Sequence, residues 1–121
     1  MITLKSHGFK FSRPEANFVF DVSYFKNPWR DEEIRNELNR DARKELVVSF
    51  MKNQAGVTPF VNNLASLLSV LDTTFEDENI VIALCCSAGE YRSPAMVEMV
   101  SKELFVRNVS HKIIHSPNSK I

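Results

Sequence analysis

Cys86, Arg92 and Ser93 are the residues whose types and spacing could do chemistry, at the ends of the run Cys86-Ser87-Ala88-Gly89-Glu90-Tyr91-Arg92-Ser93. An arginine fork at position 92 can hold two oxygens of a phosphate, sulfate or carboxylate. A thiol at Cys86, held against the same backbone amides and that guanidinium, would have a depressed pKa and act as a nucleophile. Ser93 could hydrogen-bond the thiolate or the ligand. The plainer alternative is an ordinary turn, with Cys86 filling a small buried space and Arg92 a surface charge. No His/Cys spacing typical of a metal site occurs, and no cofactor is expected.

Such chemistry requires flanking elements that hold the loop. Ile80-Val81-Ile82-Ala83-Leu84 is an unbroken apolar run and predicts a strand buried on both faces. Beyond the loop, Met96, Val100 and Leu104 recur at helical spacing. Ser93 suits the N-cap of that helix, Pro94 its first position, and Glu98 can pair with Lys102 across one turn. Strand, tight loop and helix in that order turn backbone N–H groups and the positive end of a helix dipole into one small space.

The rest of the chain supplies a scaffold. Ile2 to Phe9 predicts a strand with Ile2 and Leu4 inward, and Gly8 permits a bend or close approach near its end. Phe18 to Val22 predicts a second strand. Asp21 inside it either caps a backbone turn or stands at the strand's C-terminal end, where open α/β sheets gather ligand groups. Trp29, in the loop Ser23 to Arg30, reads as a lid over the core in preference to a stacking platform for a base. A short polar helix is predicted over Asp31 to Leu38, and a second capped by Asp41 with Leu46, Val47, Phe50 and Met51 inward. Thr58-Pro59 opens a third, with Phe60, Leu64, Leu67, Leu68, Leu71 and Phe75 at core spacing. The acidic turn Asp72 to Glu78 enters the central strand at the end away from the loop, which sets Asp77 aside as an acid for Cys86. Val109 to His115 predicts a last strand, followed by a polar tail. The expected architecture is a single α/β domain over residues 1–121, in two or three layers, with about four strands and a strand-loop-helix oxyanion pocket.

Composition fits that size: 121 residues, 44% hydrophobic, make one compact domain with a real core. Fifteen basic and fifteen acidic residues leave no global field to draw nucleic acid or a membrane. The charge is uneven, however. Residues 1–30 and 101–121 each carry +3 and the middle −6, so two terminal strands in one sheet would form a local basic surface. The two cysteines are neighbours, so they are expected to be free thiols of a reducing compartment. The longest apolar run falls far short of the roughly 20 residues of a membrane helix. With no charged-then-apolar leader, a cytoplasmic protein without a membrane partner is expected.

Two families share motifs with this chain. Cys86 to Ser93 resembles the signature loop of cysteine-dependent protein tyrosine phosphatases, although Cys85 replaces the usual histidine and Tyr91 the second glycine. The wider resemblance is to the C-terminal domain of the RapZ family of bacterial RNase adapter proteins. It runs through Ile2 to Lys10, Phe18 to Val22, Asn27-Pro28, and Cys86 with Gly89 and Arg92-Ser93. Ser23 stands where that pattern often has an arginine, with Lys26 or Arg30 as substitutes. No Gly-x-x-x-x-Gly-Lys-Ser/Thr motif occurs, so a stand-alone second domain without Walker-type ATP hydrolysis is expected.

The RapZ resemblance implies a regulatory binding module for a phosphorylated small molecule, an amino-sugar phosphate among them, or for RNA presented to a ribonuclease. The ligand would lie on Cys86, Ser87, Ala88, Gly89, Glu90, Tyr91, Arg92 and Ser93. Gly89 would allow close backbone approach, and Asp21, Asn27 and His115 would orient the remainder. Homo-oligomerisation would join several basic patches. The phosphatase resemblance implies an enzyme with Cys86 as nucleophile, Arg92 as phosphate clamp and Asp21 as acid. A third reading is a protein-binding chain that uses the acidic Glu32, Glu33 and Glu37.

Overall fold

Side-chain parity along the two central strands, alternating in one and apolar throughout in the other, decides where the core forms. The computed structural model describes residues 1–121. It contains β1 (Ile2–Gly8), β2 (Phe18–Asp21), α1 (Glu32–Asn36), α2 (Arg40–Lys52), α3 (Val57–Thr74), β3 (Ile80–Cys86), α4 (Arg92–Val106) and β4 (His111–Ile114), with a 3-10 turn at Pro28–Arg30. The strands make one parallel sheet in the order β2-β3-β1-β4. In register, Leu4 stands beside Ile82 and Ile113, and Leu84 beside Phe20. These side chains, with Ile2, Ile80 and Cys86, pack with the helices into a single core. Thr3, Ala83 and Cys85 have the opposite parity; they are buried but lie outside that core.

The connections β1→β2 and β3→β4 step across a neighbouring strand in opposite directions. Right-handed crossovers therefore put them on opposite faces of the sheet. Helix α4 takes the core face. Residues 9–17 cross the other face, where His7 Nε2 donates to the Ser12 carbonyl at 2.8 Å. The result is a two-layer α/β domain. Helix α4 is buried at five successive residues, Ser93 to Val97, because β1 and β3 flank it on one side and α2 and α3 on the other.

Several boundaries differ from the sequence expectation, each for a local reason. Helix α4 begins at Arg92 with Tyr91 at its cap, so Ser93 and Pro94 lie inside the first turn. Proline is tolerated there because the first-turn N–H groups have no intrahelical partner. Asn39 rather than Asp41 caps α2, accepting from the Ala42 N–H. Asp31 caps a shorter α1, which leaves Leu38 exposed. Helix α3 opens at Val57 behind Gly56, whose φ is 92°. Its buried stripe is Val57, Val61, Leu64, Ala65 and Leu68. Leu67 lies about 100° around from that stripe, and Phe75 sits past the last helical residue; each is 43% exposed.

Glu98 does not pair with Lys102. It bonds Lys44 of α2 on one oxygen and His115 Nε2, at 3.2 Å, on the other. His115 Nδ1 meets Ser6 Oγ at 2.9 Å, and Ser6 Oγ accepts the Ser116 N–H at 2.9 Å. This chain of bonds ties α2, α4, β1 and the C-terminal tail together. The His115 hydrogen bond is the largest influence on Glu98; with Lys44 it outweighs burial and holds the carboxyl down to about 2 against an ordinary 4.5. A carboxyl with a depressed folded-state pKa stabilises the fold above its unfolded pKa. That contribution fades as pH falls from about 4.5 toward 2. We expect Glu98→Gln to lower stability at neutral pH by about 1–3 kcal/mol. Acid-titrated unfolding followed by circular dichroism should also show a flatter pH dependence for the variant across that window.

Candidate functional site

The site grows from the carboxyl ends of β2 and β3, which lie side by side. Strand β3 ends at Cys86, and its alternation sends Cys86 to the core side and Cys85 to the other. The loop after Cys86 curls back because two glycines remove obstacles. A Cβ on Gly8 would lie 2.6 Å from the Ala88 carbonyl carbon. One on Gly89 would lie 2.7 Å from Ser116 Oγ, and Gly89 adopts φ 70°, a conformation costly for other residues. Gly89 therefore packs against β1 and the tail, and it does not line the cavity.

That cavity encloses about 240 Å³ and is lined by Cys86, Ser87, Ala88, Glu90, Tyr91 and Arg92 of the loop, together with Asn27, Trp29 and Lys120. The N–H groups from Ser87 to Ser93 make no hydrogen bond within the protein. A run of open donors at the start of α4 is a natural anion cradle. Arg92 Nη1 donates to the Ser23 and Phe25 carbonyls at 2.8 and 3.1 Å, and Nη2 to Ser87 Oγ at 3.2 Å. Its Nε–H and second Nη2–H have no protein partner. Glu90 is neutralised by Lys120 at 2.8 Å, and the Lys120 N–H also donates to the Glu90 carbonyl. Arg40 and Arg43 hold the tail by its Ser119, Lys120 and Ile121 carbonyls. Trp29 stacks on Tyr91, with ring centroids 5.7 Å apart.

The two thiols differ. Cys86 Sγ donates to Ser93 Oγ at 3.3 Å, and that hydroxyl donates to the His7 carbonyl at 3.4 Å. Ser93, fully buried, thus anchors the floor of the cavity. Cys85 lies beside Asp21 and His7 on the other sheet face. Burial first, then the charges of Cys86 and Asp21, push its thiol up to about 11.

Asn27 reaches the cavity, but Asp21 and His115 do not line it. Asp21 is exposed and accepts from the N–H and Oγ of Ser23, the turn-capping arrangement. His115 belongs to the Glu98 network. Two lining residues were not among the expected ligand contacts. Trp29, expected as a lid over the core with a stacking platform as the alternative, is 46% exposed and lines the cavity. Lys120 comes from the polar tail; its only sequence signal was the basic excess of the C-terminal residues. A second cavity adjoins the first through Asn27, Trp29 and Arg92.

The family profile described as RapZ C-terminal domain matches residues 1–118. Among curated proteins, the chain is similar to a nucleotide-binding protein of Pediococcus pentosaceus, with 30% identity covering 94% of this chain and 40% of that protein. It is also similar to a nucleotide-binding protein of Lawsonia intracellularis, with 34% identity over 94% of this chain and 36% of the relative. A third relative is the nucleotide-binding protein of the ptsN-ptsO intergenic region of Shewanella violacea, at 35% identity over 93% and 40%. The chain spans about two fifths of the length of these relatives. The match across nearly all its residues shows that the chain belongs to the RapZ C-terminal domain family.

Proposed function

We propose that this chain is a regulatory binding module that recognises a phosphorylated ligand through the loop Ser87 to Ser93. The observation that carries this reading is the run of backbone N–H groups without protein acceptors, set beside the free edge of Arg92. A phosphoryl group satisfies many donors at once and stays charged at neutral pH. The names of the curated relatives favour a nucleotide or a related phosphorylated molecule, an RNA backbone included. In an adapter role, the module would present such a ligand to a ribonuclease or another protein.

Catalysis by Cys86 is the second reading, favoured by the sulfur at the cavity floor beside Ser93. In that mechanism the thiolate attacks phosphorus, an acid protonates the leaving oxygen, and water then cleaves the thiophosphate. The only acid in the lining is Glu90, and it is held by Lys120. Binding is therefore the better fit.

Inorganic phosphate or AMP should raise the melting temperature of the native protein. Arg92→Ala should lower the baseline by about 1–3 kcal/mol, through lost bonds to the Ser23 and Phe25 carbonyls, and should also remove the ligand-dependent rise. A rise that survives in Arg92→Ala would sink the binding site. An aryl phosphate should not turn over under reducing conditions; turnover lost in Cys86→Ser would establish the phosphatase instead.

The thiols give a separate check. Alkylation mapped by mass spectrometry should leave Cys85 unmodified well above neutral pH, since its proton is held up to about 11. Whatever modification occurs at Cys86 should slow when phosphate is present.

A further inference from the structure

Arg92 stands in the wall between two cavities, and its ends serve different sides. Nη2 meets Ser87 of the loop, while Nη1 is held by Ser23 and Phe25, which line the second cavity. That second space encloses about 580 Å³ and is bounded by Lys26, Arg30 and Arg35 as well as Arg92, with Asn27 and Trp29 at the shared wall. No carboxylate lines it. None of the four cations takes part in a salt bridge. The Lys26 and Arg30 side chains donate to no protein acceptor, and Arg35 donates only to the Trp29 carbonyl, at 2.7 Å. Of the three acids between Arg30 and Arg35, Asp31 is turned onto the N–H groups of Glu33 and Ile34, which it caps, and Glu32 and Glu33 do not line the cavity.

Four like charges around one space repel one another, and in a chain of zero net charge nothing global compels this clustering. An anion entering the space relieves that repulsion. We propose that the second cavity is an anion subsite, and that the ligand carries two phosphoryl groups: one on the loop amides, the other among Lys26, Arg30 and Arg35. The linker between them crosses the wall formed by Asn27, Trp29 and Arg92. This rests on the reading that the loop binds the first phosphoryl group. Two phosphates on one ribose, or successive phosphates of an oligonucleotide, share this chemistry.

Trp29 is the only tryptophan and lines both cavities, so its fluorescence reports occupancy of either. The titrants are inorganic phosphate, AMP, adenosine 3′,5′-bisphosphate and the dinucleotide pApA, at one low ionic strength. Native protein should bind the bisphosphate or the dinucleotide about tenfold more tightly than AMP. In the double variant Lys26→Ala/Arg30→Ala that preference should vanish, while AMP, held on the loop, still binds. The anchoring bonds of this segment run through the Lys26 backbone to Gln54, so the variant keeps them. A dinucleotide tighter than the bisphosphate assigns the ligand to a nucleic-acid backbone; the reverse order assigns it to a small molecule. Equal affinity for AMP and both doubly phosphorylated probes in native protein would overturn the subsite, as would a preference that persists in the double variant. Failure of phosphate and AMP to bind native protein at all would overturn the loop reading itself, and the subsite with it.

Discussion

The abutment of Gly8 against Ala88 and Gly89, with Ser116 closing behind, is the constraint on which the remaining geometry depends. Three segments meet there with no room for a side chain at either glycine. Beyond the Ser87 carbonyl, which still accepts the Lys10 N–H at 2.9 Å, the loop leaves the ladder, and its N–H groups are left without strand acceptors. Buried unpaired donors would each cost about 1–3 kcal/mol, so a loop of this kind belongs at a surface where water or an anion supplies the acceptors. The edge of the sheet beyond β2 and β3 is such a place.

Charge follows the same logic of local satisfaction. Four acids around the sheet end have short-range partners, Asp21 with Ser23, Asp31 with the first turn of α1, Glu90 with Lys120 and Glu98 with Lys44 and His115, while Glu32 and Glu33 line neither cavity. The cations Lys26, Arg30 and Arg92 have no carboxylate partner. A balanced sequence thereby produces an unbalanced surface, because the negative charges are consumed in caps and tail contacts while the positive ones converge. Net charge is a poor guide to the field at one edge of a small sheet.

The strand-loop-helix unit was legible because its signals are local: an apolar run, a break, then apolar residues at helical spacing. The four-stranded α/β fold was legible for the same reason. What sequence left open were contacts set by tertiary folding. Trp29 read as a core lid because its aromatic partner, Tyr91, is distant in the chain. Lys120 reaches the cavity because Arg40 and Arg43 hold the tail from one side and Glu90 from the other. Glu98 had a plausible partner one turn away, yet packing of α4 against α2 and the end of β4 offered two better ones. Local pairing rules fail where a helix is surrounded, and α4 is surrounded.

Asp21 and Cys85 show what the pleat decides. Asp21 lies at the end of β2, beside β3, where proximity alone would make it a partner for Cys86. In a parallel sheet, however, residues in register share a face, and Asp21 is in register with Cys85. Its charge helps to raise the Cys85 thiol on the face crossed by residues 9–17, while Cys86 turns the other way, onto Ser93 and the cavity. A group acting on a ligand over Cys86 must come from the loops or from residues of the same parity as Cys86. Asn27, Arg92 and Lys120 all satisfy that condition by coming from segments beyond the strands. Strand-end position places a residue near such a site; parity decides whether it faces it.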